Sequence, residues 1–85
     1  MNYKLNIRKN ALKFIAKQER KTQERLFKAI KGLPKDGDIK KMRGNDALYR
    51  LRVGTFRILF EVTPLSIEVT LIEVTDVDNR GQIYK

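Results

Sequence analysis

The sequence predicts an α+β domain with the element order βααβββ, in which two helices pack on one face of a mainly antiparallel sheet. Three observations favour this class. Apolar residues recur at helical spacing in the first half of the chain, apolar and polar residues alternate after residue 47, and a Gly-Thr pair separates two alternating runs. With 85 residues and no repeats or linkers, the chain is expected to form a single domain over residues 1–85.

The first half of the chain is predicted to hold one strand and two helices. Asn10 is predicted to cap the first helix and Thr22 the second, because their side chains can accept hydrogen bonds from free backbone N–H groups. The second helix is predicted to end at Gly32. The apolar positions are Tyr3, Leu5 and Ile7 in the strand, Ala11, Leu12, Phe14 and Ile15 in the first helix, and Leu26, Ala29, Ile30 and Leu33 in the second.

The second half is predicted to be a hairpin followed by one more strand. Residues 35–46 are expected to be a turn and a basic connector. Gly54 and Thr55 then suit a type II′ turn that pairs residues 48–53 with residues 56–62. A fourth strand is expected over residues 66–71, and residues 75–85 are expected to be a short tail. The predicted sheet core is Leu51, Ile58, Phe60, Val69 and Leu71.

This hairpin register separates apolar from basic side chains. Because side chains alternate across a strand, Leu51 and Ile58 share one face, and Arg50, Arg52 and Arg57 share the other. Like charges opposite each other in a sheet are unfavourable. The sequence offers no obvious internal counterion, so the arginine row is predicted to bind an anion from outside the chain. The sheet face that the helices leave free is the predicted binding surface.

The net charge is +9, and it lies almost entirely in the first half of the chain. Residues 1–43 carry 14 Lys and Arg against 4 Asp and Glu, whereas residues 44–85 carry 5 against 6. A basic surface attracts polyanions, of which nucleic acid is the commonest. The alternative is that the lysines only keep the helices in solution.

Other functional classes are excluded by residues that the chain lacks. There is no cysteine and no histidine, which removes thiolate chemistry, a histidine base and most transition-metal sites. No metal and no cofactor are predicted. The N-terminus has no apolar signal core, and no apolar run approaches membrane-spanning length. A cytoplasmic protein without a membrane partner is expected.

Four segments carry a recognisable pattern: Lys40–Gly44, Leu48–Gly54, Phe56–Glu61 and Arg80–Tyr84. In these segments, in its element order and in its basic charge, the chain resembles the RelE/ParE superfamily of toxins from bacterial type II toxin–antitoxin pairs. RelE-like members are mRNA endonucleases that typically act in the ribosomal A site. ParE-like members share the fold but inhibit DNA gyrase. The resemblance favours the RelE-like branch, with a ParE-like toxin or a non-catalytic nucleic-acid-binding protein as the alternatives.

The resemblance implies a metal-independent attack of the RNA 2′-hydroxyl on the scissile phosphate. Arg57 matches the transition-state arginine of the family, and its planar fork can meet two phosphate oxygens. Arg50 matches a lysine implicated in proton transfer. Since arginine is rarely a base, Arg50 is expected to polarise the hydroxyl or hold phosphate. The implied catalytic residues are Arg57, Arg50, Tyr84 and Arg80, and the implied RNA-binding residues are Arg52, Lys40, Lys41 and Arg43.

Two of these positions have simpler interpretations, and one position departs from the family. Tyr84 could stack on a base or act in proton transfer, or it could simply pack on the core. Arg80 could meet phosphate or pair with a nearby acid (Glu61, Asp76 or Asp78). Asp78 stands where the RNA-cleaving type member carries an arginine. An aspartate beside a scissile phosphate repels it, unless it serves as a proton carrier. Asp78 is therefore expected either to weaken the activity or to take part in acid catalysis.

The resemblance also implies partners. The expected ones are a cognate antitoxin with a partly disordered segment that folds across the toxin, then mRNA and the ribosomal A site. Operator DNA is expected only through the antitoxin complex. The free toxin is expected to be monomeric, because two copies carrying +9 repel each other.

Overall fold

The computed structural model describes residues 2–44 and 46–79, and it confirms an α+β fold with two helices on a mixed five-stranded sheet. The elements are β1 (Asn2–Ile7), α1 (Lys9–Ala16), α2 (Arg20–Lys31), β2 (Asp38–Lys41), β3 (Leu48–Val53), β4 (Phe56–Pro64) and β5 (Val69–Asn79). The strands lie in the order β1-β5-β4-β3-β2, with β1 parallel to β5 and the other pairs antiparallel. In the described ranges, no helix is long and apolar enough to cross a membrane.

Both helices begin earlier than predicted. The residues at the N-cap positions are Arg8 and Glu19, and neither caps its helix with a side-chain hydrogen bond. The prediction of Asn10 and Thr22 as caps was therefore wrong. Asn10 lies inside α1, where its side-chain amide donates to the Thr75 carbonyl at 2.9 Å, so a tertiary contact replaces the local one. The predicted end of α2 at Gly32 is confirmed.

One strand was not predicted. Residues 38–41 pair with β3 at the edge of the sheet, with Ile39 opposite Leu51. The expectation of a turn and connector here was wrong over this stretch. β2 has a single apolar residue among four, so it shows no alternation to detect. Lysines on an exposed edge strand also hinder pairing with other chains.

β5 begins at Val69, later than the predicted residue 66, and it extends to Asn79, beyond the predicted end. Its apolar residues face both sides of the sheet. Thr70, Ile72 and Val74 are buried, whereas Val69 and Leu71 lie on the opposite face and are only partly buried. Val69 and Leu71 were therefore wrongly assigned to the core. A β-bulge then changes the alternation: Leu59 pairs with Asp76 but Phe60 pairs with Val74, which leaves Thr75 as the extra residue.

The core lies between the helices and the sheet. Leu51, Ile58 and Phe60 are fully buried in it, as predicted, and the Phe60 ring stacks on Tyr49 with centroids 5.6 Å apart. The hairpin register is also confirmed, because Arg52 pairs with Arg57. The buried apolar residues are Ala11, Ile15, Leu26, Ile30, Leu33, Leu51, Ile58, Phe60, Ile72, Val74 and Val77.

The face of the sheet away from the core, here called the open face, holds two carboxylates directly opposite each other. Glu61 on β4 pairs in register with Glu73 on β5, an arrangement that is repulsive on its own. The Arg8 guanidinium lies between them, 3.4 Å from a Glu61 oxygen and 3.3 Å from a Glu73 oxygen. The Asn6 amide donates to the other Glu73 oxygen at 3.0 Å. The hydrogen bonds from Arg8 and then Asn6 lower the pKa of Glu73.

Phe60→Ala should remove the largest fully buried side chain of the sheet. The lost apolar transfer and the resulting cavity should lower the free energy of unfolding by about 3–5 kcal/mol, a large part of a typical domain's stability. Denaturant unfolding measures this difference. Ile67→Ala is the matched control, because Ile67 is 97% exposed and should change stability by less than about 0.5 kcal/mol. Equal losses in both variants would contradict the assigned core.

Glu73→Gln should reveal how the Arg8 bridge depends on pH. The folded-state pKa of Glu73 lies below its ordinary value of 4.5, so the stabilisation is complete above the unfolded-state pKa and is lost as the pH falls through the folded-state pKa. The wild type should therefore be more stable than Glu73→Gln at neutral pH, and the two should converge in acid. Unfolding at a series of pH values measures this, with Glu68→Gln as the control at an exposed carboxylate. A difference that persists unchanged in acid would contradict the bridge.

Candidate nucleic-acid interface

The hairpin brings three arginines to the open face. Arg50 and Arg52 on β3 and Arg57 on β4 point away from the buried Leu51 and Ile58. Arg52 and Arg57 are direct cross-strand partners, because the two-residue turn fixes the register. Gly54 has φ +60° and Thr55 has no positive φ, which is the pattern of the predicted type II′ turn. The predicted arginine row is thus present.

β2 extends this basic surface. Lys40 lies opposite Arg50, and Asp38 lies opposite Arg52. A shallow cleft of about 390 Å³ is present beside them. We call it the basic cleft, and its lining residues are Lys40, Lys41, Met42, Arg43, Arg50 and Arg52. The structure therefore brings the three sequence-predicted residues of the connector next to two of the three hairpin arginines.

The expectation of an arginine row without internal counterions was wrong. Arg57 Nη2 donates to Asp78 Oδ2 at 2.8 Å, and the exposed fractions of the two side chains are 22% and 26%. Arg50 Nη2 lies 4.0 Å from Asp38 Oδ1. Neither acid lies in a segment that was predicted to be a strand. Asp78 belongs to the part of β5 that was predicted to be a tail, and Asp38 is the first residue of β2. Within residues 2–44 and 46–79, no ion pair involves Arg52.

Several polar atoms at this surface are buried without a hydrogen-bond partner among the described residues. They include Arg50 Nη1, Arg57 Nε and Asp78 Oδ1. A buried donor without a partner is costly, because it has lost water and gained nothing in exchange. The two arginines thus keep donor capacity that an incoming anion could use.

The open face is electrically divided. Glu61 and Glu73, bridged by Arg8, occupy the side toward β1, and the arginines and the basic cleft occupy the side toward β2. The role of Arg8 was not predicted, since only the β1–β5 pairing brings it near both acids. A polyanion is attracted to one side of this surface and repelled from the other.

Two predicted site residues lie outside the described residues. They are Arg80 and Tyr84, and their proposed roles therefore stay predictions. Of the remaining predicted site residues, four lie on the open face: Arg50, Arg52, Arg57 and Lys40. Lys41 and Arg43 lie at the rim of the basic cleft, where Lys41 Nζ is also 3.5 Å from Asp46.

Comparisons with known proteins extend the picture. No family model matches the chain, and no curated protein matches it at a significant level. Among solved structures, it resembles a chain of the RelB–RelE antitoxin–toxin complex from Methanococcus jannaschii, with 25% identity and a TM-score of 0.65 over 93% of this chain and 94% of that one.

A second solved structure has the same fold. A chain of the archaeal RelE–RelB complex from Pyrococcus horikoshii OT3 superposes with a TM-score of 0.69 and 22% identity, over 96% of this chain and 99% of that one. These likenesses extend over nearly the whole of each chain. Together with the hairpin motif and its register, they show that this chain has a RelE-like fold.

Proposed function

We propose that this chain is the toxin of a type II toxin–antitoxin pair and that it cleaves mRNA on the ribosome. The observation that carries the proposal is the shared open-face position of Arg50, Arg52 and Arg57, at places that match basic residues of the superfamily. The structural likeness to chains of the RelB–RelE and RelE–RelB complexes supports the toxin part of the proposal.

In the proposed reaction, the 2′-oxygen of the RNA attacks the phosphorus and the 5′-oxygen leaves. Negative charge accumulates on the non-bridging oxygens of the phosphorane. Arg57 is proposed to donate hydrogen bonds to these oxygens, since donors fixed where charge develops stabilise a transition state more than a ground state. A guanidinium suits this role because it presents paired donors in one plane.

The other basic residues divide into two roles. Arg50, whose side chain is 14% exposed, is proposed to polarise the attacking hydroxyl or to hold phosphate. Arg52 and the residues of the basic cleft are proposed to bind the RNA backbone, whose phosphates attract cations regardless of sequence. Tyr84 and Arg80 complete the proposed site: Tyr84 as a base-stacking residue or proton carrier, and Arg80 as a phosphate contact.

Arg57→Ala should lower the cleavage rate by about 10²–10³-fold, because it removes a contact made mainly in the transition state. RNA or ribosome affinity should change only several-fold, since other basic residues supply most of the attraction. Single-turnover cleavage of mRNA on ribosomes measures the rate. Arg57→Lys should recover only part of it, because an ammonium group lacks the bidentate geometry.

Arg20→Ala is the matched control for the loss of one positive charge. The Arg20 side chain is 93% exposed on α2, and α2 packs on the core face of the sheet, opposite the arginines. This variant should therefore cleave like the wild type. Wild-type cleavage by Arg57→Ala would contradict the proposed site and favour a gyrase-directed or non-catalytic protein.

The Arg57–Asp78 pair favours a gyrase-directed toxin as the second candidate, because an acid on the proposed phosphate contact opposes RNA cleavage. Induction of the chain alone in bacteria, with radiolabelled precursors, separates the two functions. The endonuclease should stop protein synthesis first, whereas a gyrase inhibitor should stop DNA synthesis first. Growth that continues unchanged would argue against either kind of toxin.

The proposed antitoxin should bind through an acidic segment that covers the arginine face or displaces the C-terminal tail. The net charge of +9 and the basic cleft provide the attraction. Affinity should therefore fall as salt rises from low to physiological strength, because exposed charges are increasingly screened. Titration at several salt concentrations measures this. An affinity that does not respond to salt would indicate a mainly apolar contact.

A further inference from the structure

The Asp78 carboxylate is already hydrogen-bonded to Arg57, the arginine that is proposed to bind the phosphate. It accepts a hydrogen bond from Arg57 Nη2 at 2.8 Å, in the distance range of charge-assisted bonds. The two residues are direct partners in the β4–β5 register, so strand pairing keeps the carboxylate beside the guanidinium. With exposed fractions of 22% and 26%, water screens this pair less than it screens a surface ion pair.

The particular nitrogen involved matters for phosphate binding. A guanidinium makes paired hydrogen bonds along two edges, one formed by Nε with Nη2 and the other by Nη1 with Nη2. Nη2 contributes one N–H to each edge, and the Asp78 carboxylate accepts one of these two. A phosphate cannot bind in bidentate fashion along the edge that the carboxylate holds while the carboxylate stays in place, and a negative charge beside the guanidinium also opposes binding along the other edge.

The remaining hydrogen-bonding capacity of the pair is unused. Arg57 Nε and Asp78 Oδ1 are both buried, and neither has a partner among the described residues. The contact is therefore a single hydrogen bond, although the two groups could make two. A pair built only for stability would be expected to satisfy these atoms, as Arg8 and Asn6 together satisfy both oxygens of Glu73.

We propose that Asp78 is an internal competitor for the anion site at Arg57 and lowers the affinity of the arginine face for nucleic-acid phosphates. This inference rests on the proposed phosphate-binding role of Arg57. A phosphate must displace the carboxylate before the full guanidinium fork is available. A nucleic-acid chain that also contacts Arg52 and the basic cleft can supply the free energy for that displacement, since its other phosphates are already bound.

A double-mutant cycle on binding tests the proposal. The probe is a labelled single-stranded 2′-deoxy oligonucleotide, which lacks the attacking hydroxyl, measured by fluorescence anisotropy at low salt. Asp78→Asn should bind about tenfold more tightly than the wild type, the factor associated with one charge-assisted hydrogen bond. Glu68→Gln removes the same charge at an exposed site away from Arg57, and it should change affinity by less than about twofold.

The Arg57→Ala background supplies the decisive comparison. There, the gain from Asp78→Asn should shrink to that of Glu68→Gln, because no guanidinium fork remains to be freed. An equal gain in both backgrounds, a gain no larger than the control, or weaker binding by Asp78→Asn would each overturn the proposal. Absence of binding by every variant at low salt would overturn it as well.

Two controls keep the binding result independent of misfolding and of catalysis. If Asp78→Asn does not give the circular dichroism spectrum of the wild type, Asp78→Thr takes its place, because threonine suits a strand. The probe cannot be cleaved by 2′-hydroxyl attack, so the binding result does not depend on endonuclease activity. Tighter binding by Asp78→Asn without mRNA cleavage by the wild type would count against the endonuclease alone.

Discussion

The two-residue turn at Gly54 and Thr55 determines which face every side chain of β3 and β4 occupies. Because side chains alternate along a strand, a slip of one residue would expose Leu51 and Ile58 and bury the arginines. Both changes are unfavourable, since apolar burial is lost and charges lose water without a partner. The arginine face is therefore specified as strongly as the core, by the same hydrogen-bonded register.

The order of the strands in the sheet, more than the order of residues in the sequence, determines which charged side chains are neighbours on the open face. The Arg8 bridge comes from the N-terminal end of the chain, yet it joins acids on β4 and β5. Lys40 reaches Arg50 only because β2 forms the far edge of the sheet. The result is a surface with a neutralised acidic side and a basic side. Such a division gives an approaching polyanion a preferred orientation as well as an attraction.

The sequence was most informative where local signals agreed. The hairpin combines a turn residue that tolerates positive φ with clear alternation, and its register, its core residues and its arginine row were predicted correctly. The apolar stripe of α2 was equally clear, since Leu26 and Ile30 are buried. In each case, local conformation and burial depend on the same few neighbouring residues.

Features that depend on pairing between distant segments could not be predicted in this way. In β5, both Leu71 and Ile72 are apolar, so alternation alone does not decide which of them faces the core. β2 is short and polar because it lies at an edge. The contact between Arg57 and Asp78 joins residues 21 positions apart and needs the β4–β5 register. The arginines of the candidate site and the presence of Asp78 near it were thus predicted, whereas the ion pairs of Arg57 with Asp78 and of Arg50 with Asp38 were not.

The β-bulge at Thr75 has a consequence for how such a site can change during evolution. The extra residue puts Val77 in the core and Asp78 on the open face, and it is held by hydrogen bonds from Asn10 to its carbonyl and from its own hydroxyl to the Leu59 carbonyl. Deletion of Thr75 would restore regular alternation and leave Asp76, Val77 and Asp78 opposite the same β4 residues, so the acid would stay beside Arg57. A strand that kept every residue but lost the bulge would instead turn Asp78 toward the core and Val77 toward the open face. A different anion site therefore requires substitutions on the open face or a bulge at another position in β5, and the loss of this one residue does not supply it.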